Sequence, residues 1–146
     1  MQSIFDKEYY RQLADRVVRI TEDTIPRWGK MNASQMMHHL NLTMEAPLGK
    51  YNPPGKPVWF MRMFKSVLYS DKPFSKGSPT PKPFKVTGEF PFDSERAKVV
   101  GYLRDIYEKG PSFTYKPHHF FGKLTSEQWG KHFYKHLDHH LRQFGV

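Results

Sequence analysis

Nine of the twelve prolines in this 146-residue chain fall between Pro47 and Pro91. Proline has no amide donor and its ring clashes with the preceding turn, so neither a regular helix nor a central strand can run through such a stretch. The run Lys72-Pro73-Phe74-Ser75-Lys76-Gly77-Ser78-Pro79-Thr80-Pro81-Lys82-Pro83-Phe84-Lys85 is the extreme case. It has to travel as a long excursion over the surface, and loops of this length are usually functional or mobile. Regular structure is thereby confined to the two flanks. The exception lies inside the region, where Val58 to Tyr69 is free of proline and can form a short helix.

Both flanks carry helical patterns. Tyr10, Leu13, Val17 and Ile20 recur at helical spacing and predict a first helix over residues 7–21, with Asp6 as its N-cap. A second helix opens at Asn32, and Gln35 three residues later makes a pairing that resembles a capping box. Met36, Met37, Leu40 and Met44 form its apolar side, and Pro47 ends it. A third helix is expected after Asp93 as N-cap, with Val99, Leu103, Ile106 and Tyr107 as its stripe and Gly110-Pro111 as its stop. The fourth has the clearest start. Thr125-Ser126-Glu127-Gln128 is a capping box, and the helix runs to about Phe144, closed by Gly145. No internal repeat and no strand signal stands out. The fold class predicted is all-α: one domain over residues 1–146, an antiparallel four-helix bundle with a long proline-rich excursion and a short extra helix between helices 2 and 3.

Composition narrows the function classes. Aromatic residues make up 16% of the chain, enough to bury a substantial core. A formal charge of +9 favours acidic partners such as nucleic acid, anionic lipid or an anionic substrate, although a plain basic surface gives the same number. The chain has no cysteine, which excludes disulfides, zinc thiolates and a cysteine nucleophile, and fits a cytoplasmic protein. No apolar run approaches the ~18 residues needed for a membrane span, so no membrane partner is expected. The N-terminus reaches charge too early for a signal peptide.

The residues that point at chemistry are histidines. Four of the eight lie between His132 and His140. Helical geometry sorts them, at about 100° per residue. Measured from Trp129, the apolar residues Phe133, Leu137, Leu141 and Phe144 span an arc from roughly 0° to 120°. His140 falls at about 20° and His136 at about 340°, on the inner side, whereas His132 and His139 fall near 300° and 280°, toward solvent. Gln143, near 320°, flanks His136, and Asp138 points away. On the second helix His39 lies nearer the apolar side than His38, without excluding it. Glu45 is expected near His38, Trp28 at the mouth of the bundle, and His118-His119 in an exposed loop. An H-x-x-x-H pair facing into a bundle can bind one metal ion if another segment supplies a third ligand. Imidazole suits zinc, nickel, iron and copper. The absence of H-E-x-x-H argues against a zincin-type protease.

Two motifs carry a family resemblance. Trp28 followed by Gln35-Met36-Met37-His38-His39-Leu40 resembles the second-helix motif of the DinB-like superfamily of metalloenzymes. His136-Leu137-Asp138-His139-His140-Leu141-Arg142-Gln143 resembles its last-helix motif, H-x-x-x-H-x-x-Q. Arg27-Trp28-Gly29-Lys30-Met31-Asn32 and the tail from His119 to Gly145 are similar to one branch of that superfamily. The resemblance implies that the second histidine of the pair, His39, joins His136 and His140 in binding a divalent metal, zinc or nickel first and iron or manganese next. The proline-rich excursion departs from the family pattern.

Three neutral imidazoles leave a divalent ion its full charge and open positions, where water or a small-molecule thiol would be activated. The resemblance therefore implies a metal-dependent transferase using a small thiol, or a hydrolase. The alternative is a non-catalytic module holding metal or a small ligand. A small-molecule substrate is the expected partner, a low-molecular-weight thiol among the options, with a homodimer left open. No helix-turn-helix is present and the lysines do not gather on one helix face, so nucleic acid is not the expected partner.

Overall fold

Local capping chemistry decides where the helices begin. The computed structural model describes residues 2–146 and holds four α-helices: α1 (Lys7–Arg19), α2 (Ala33–Glu45), α3 (Phe92–Lys109) and α4 (Ser126–Gln143). The Asp6 carboxylate accepts the Glu8 amide at 2.9 Å and caps α1. Reciprocal capping boxes close ahead of α2, between Asn32 and Gln35, and ahead of α4, between Thr125 and Gln128. Each satisfies two amides at a helix start that would otherwise lack partners.

α3 starts differently from the sequence expectation. Asp93 lies inside the first turn rather than capping it. Pro91 holds the cap position with φ −66°, a value its ring enforces. Its carbonyl accepts the Glu95 amide at 3.1 Å. At its C-terminus α1 stops at Arg19, two residues before the expected end, because Ile20 turns extended at ψ 132°.

The expected stripes meet in one core. Leu13 and Val17 of α1, Met36, Met37 and Leu40 of α2, Leu103 and Ile106 of α3, and Leu141 of α4 are fully buried. α2 packs on α3 and α4, and α1 packs on the same two, so the four helices close a ring. This is a four-helix bundle, and no strand occurs among the described residues. The N-terminal segment crosses α4 at Gly130, whose carbonyl accepts the Ile4 amide at 3.1 Å. A Cβ at Gly130 would collide with the Phe5 ring, so the crossing depends on that glycine.

The excursion between α2 and α3 contains the expected extra helix in a tighter form, a 3-10 helix over Trp59–Leu68. It also contains a short 3-10 turn at Lys82–Phe84. The excursion does not wander from the bundle. Lys135 on α4 donates to the Ser70 carbonyl at 3.2 Å and lies 4.4 Å above the Phe74 ring. Gln35 on α2 donates to the Gly88 carbonyl at 2.9 Å, and the Tyr51 hydroxyl donates to the Pro83 carbonyl at 2.7 Å. The segment is thus folded back over the histidine side of α2 and α4. No helix among the described residues is long and apolar enough to cross a membrane.

Candidate metal centre

His136 and His140 are one turn apart on α4, and His39 faces them from α2. The potential ligand atoms of the three lie within 4.8 Å of one another, a group that could hold a metal ion. The Nε2 atoms of His39 and His136 are 3.2 Å apart.

The other ring nitrogen of each histidine has a partner that assigns its proton. His39 Nδ1 donates to the Phe84 carbonyl at 2.8 Å, since a carbonyl can only accept. His140 Nδ1 lies 2.8 Å from Gln143 Oε1. The Gln143 amide is itself oriented, because its Nε2 donates to the Trp28 carbonyl at 2.8 Å. Oε1 is therefore the atom left to accept from His140. Thr43 gives its hydroxyl proton to the Leu40 carbonyl at 2.9 Å and accepts from His136 Nδ1 at 3.4 Å. With Nδ1 protonated throughout, all three Nε2 atoms carry lone pairs.

Two of those lone pairs then face each other at 3.2 Å with no proton between them. Such a contact repels unless a cation lies between the nitrogens. Ligand nitrogens at zinc–nitrogen distances of about 2.0–2.1 Å around a tetrahedral ion are about 3.3 Å apart, so the His39–His136 pair has the spacing of one edge of such a site. Burial keeps the rings neutral, the form that ligates. It pushes His39 down to about 4 and holds His136 and His140 well below the usual histidine range, with the neighbouring imidazoles adding to the effect.

The three nitrogens open onto a cavity of about 370 Å³. Seven of the eight histidines line it, His38 being the exception. The remaining walls are largely apolar, with Phe74, Phe84, Phe120, Phe121 and Trp129 among them, and no described residue in the lining carries a formal charge.

Several expectations change here. His132 and His139 do not face solvent: His132 is 8% exposed, His139 is half-buried, and both line the cavity. The excursion covers that flank of α4, with the Phe74 ring 6.4 Å from His132 and 5.8 Å from His139. His132 Nδ1 is buried without a hydrogen-bond partner. His118 and His119 also line the cavity. Paired hydrogen bonds of 2.9 Å between His118 and Gly122 close a tight loop, and burial pushes the His118 ring down to about 3.

His38 turns away from the centre. It stacks on Phe90 and pairs with Glu95 at 3.1 Å. Glu45, expected beside it, instead accepts the Tyr102 hydroxyl at 2.9 Å. Glu95 is 4% exposed, and burial alone would raise its pKa. Hydrogen bonds from Asn41, His38 and Lys98 outweigh burial and hold it below the usual carboxylate value. Asp138 points away as expected and pairs with Arg16 at 2.8 Å.

Trp28 contributes through its backbone carbonyl, and its ring lies 5.9 Å from that of His139. Gly29 has φ +85°, and a Cβ there would run into Gln143 Nε2. The Trp28-Gly29 turn and the Gln143 amide therefore form one clamp behind His140. Two contributors were missed in the sequence. Thr43 stands four residues after His39 on the same helix face, a spacing that could have found it. The Phe84 carbonyl is a backbone group in the proline-rich run and leaves no side-chain signal.

Fold and site together define a helical bundle with a three-histidine group that could hold a metal. A family model described as "Protein of unknown function (DUF1569)" matches residues 8–145, and the chain belongs to that family. Neither a curated protein nor a solved structure matches the chain.

Proposed function

We propose that this protein is a divalent-metal-dependent enzyme that transfers groups to or from a small thiol, with His39, His136 and His140 as the metal ligands. The observation that carries the reading is the convergence of three neutral imidazoles whose Nδ1 protons are all engaged, leaving Nε2 lone pairs as close as 3.2 Å. A bound divalent cation would supply a Lewis acid that eases deprotonation of a thiol or water at an open position. Hydrolysis, in which water takes the place of the thiol, uses the same centre.

The chain's own residues favour the thiol. All three ligands are uncharged and no carboxylate lines the cavity, so the protein leaves a divalent charge uncompensated there. An anionic sulfur ligand balances it. The chain has no cysteine, so the sulfur must come from a cosubstrate. The apolar walls suit an apolar electrophile.

The first test is metal content. Untagged protein reconstituted with zinc, nickel, iron or manganese should hold about one equivalent of its preferred ion. His136→Ala should fall below about 0.2 equivalents and His38→Ala should retain the full amount. Equal loading of wild type and His136→Ala would sink the site. Small thiols screened against apolar electrophiles then test the chemistry, and rates independent of metal would sink the enzymatic reading.

A further inference from the structure

The 3-10 helix Trp59–Leu68 buries Leu68 and leaves most of its other large apolar side chains in water. Trp59 and Met63 are each 76% exposed, and Phe60, Phe64 and Val67 are exposed as well. In a 3-10 helix residues three apart lie one above the other. Phe60 and Met63 therefore form one exposed row, and Phe64 and Val67 the adjoining one. Isolated surface hydrophobics are ordinary, but five on a ten-residue element make a patch of the kind that marks an interaction site.

Charge distribution identifies the partner. Residues 46–88 hold eight lysines and arginines and a single acid, Asp71, a net +7 of the chain's +9. None of the eight cations makes an ion pair with a carboxylate among the described residues; the bridges present lie outside this segment. Arg62 and Lys65 stand on the apolar element itself, and Lys56 and Lys72 flank it in sequence. A short element that exposes a tryptophan, two phenylalanines and a methionine among unpaired cations has the chemistry that sits in the headgroup region of an anionic bilayer.

We propose that the Trp59–Leu68 element docks this protein on an anionic lipid surface, its exposed aromatic and methionine side chains entering the interface and the excursion's cations meeting the headgroups. A second copy of the chain fits this face poorly. Two-fold pairing would set the same cationic segment against itself, and nothing in residues 46–88 beyond Asp71 could compensate. Docking is peripheral, since no helix among the described residues can cross a bilayer. The element also contributes Met61, Val67 and Leu68 to the cavity lining, Val67 from the edge of the exposed patch, so Trp59, Phe60, Met63 and Phe64 are the side chains left for the lipid.

Co-flotation of the full-length protein with phosphatidylcholine vesicles, with and without about one-third phosphatidylserine, tests this. The wild type should float with the anionic vesicles at low salt and not with the neutral ones, and should release as salt rises. Its tryptophan emission should move to shorter wavelength on binding, and Trp59→Phe should remove most of that shift. Trp59→Ser combined with Met63→Ser should lower the partition coefficient about tenfold without changing the circular dichroism. If that variant misfolds, Lys56→Glu combined with Lys72→Glu should give a comparable loss with the apolar rows intact. No flotation with anionic vesicles at low salt, equal flotation with neutral ones, or variants that bind like wild type would each overturn the proposal. Sedimentation showing a dimer that Trp59→Ser dissociates, without vesicle binding, assigns the face to a second copy instead. Binding to poly-glutamate without vesicle binding assigns it to an acidic polypeptide.

Discussion

Gln143 reaches two groups at once, accepting from His140 Nδ1 and donating to the Trp28 carbonyl, each at 2.8 Å. Removing an orienting partner of a ligand histidine typically costs about 10–100-fold in metal affinity. Gln143→Ala should therefore weaken zinc binding by roughly that factor, measured by competition with a chromogenic chelator, while circular dichroism stays at the wild-type level. Unchanged affinity would show that His140 is held by packing alone. H-x-x-x-H-x-x-Q in the sequence flagged this glutamine, and helical geometry set it beside the inner histidines. What it touches was not legible there, because its second partner is a backbone carbonyl on the loop before α2, 115 residues away in sequence.

At the scale of elements, α4 depends on its start. Thr125 accepts the Gln128 amide at 3.1 Å while Gln128 reaches back to the Thr125 amide at 3.0 Å. Thr125→Ala should destabilise the fold by about 1 kcal/mol in urea titration, the usual value of an N-cap. A loss near zero would mean that tertiary packing alone sets the helix start. The capping boxes of α2 and α4 were readable because their partners are three residues apart. The inner placement of His136 and His140 was readable because it follows from the periodicity of one helix. His132 and His139 were misplaced because that periodicity says nothing of what other elements cover. The proline-rich run behaves as a surface excursion until Lys135 fastens it at Ser70 and Phe74, and that fastening turns the expected solvent side of α4 into a cavity wall.

At the scale of the whole molecule, the buried histidines make stability depend on pH. Burial lowers His132 to about 4 and His118 to about 3, from an unfolded value near 6.5. The folded state refuses protons that the unfolded chain accepts between those values. The contribution is complete above about pH 6.5 and is lost as pH falls toward about 4, at about 1.4 kcal/mol per pH unit for each such histidine. Urea midpoints of the metal-free protein should therefore fall steadily from about pH 7 to about pH 5, with net proton uptake on unfolding. A flat profile over that range would contradict the burial of these rings. Glu95 acts in a lower window. Its folded value is depressed, so its contribution persists above the unfolded value of 4.5 and disappears as pH falls through the folded one.

The acceptors behind the three candidate ligands are a peptide carbonyl, a hydroxyl and a primary amide. None of them gains or loses a proton anywhere in the working range of a protein. The frame that aims the imidazoles is thus indifferent to acidity, and only the imidazoles themselves respond to it. Competition between protons and metal at this centre reduces to the ligand rings alone. Its affinity should level off once those rings are neutral, with no further inflection on the alkaline side arising from the groups that hold them.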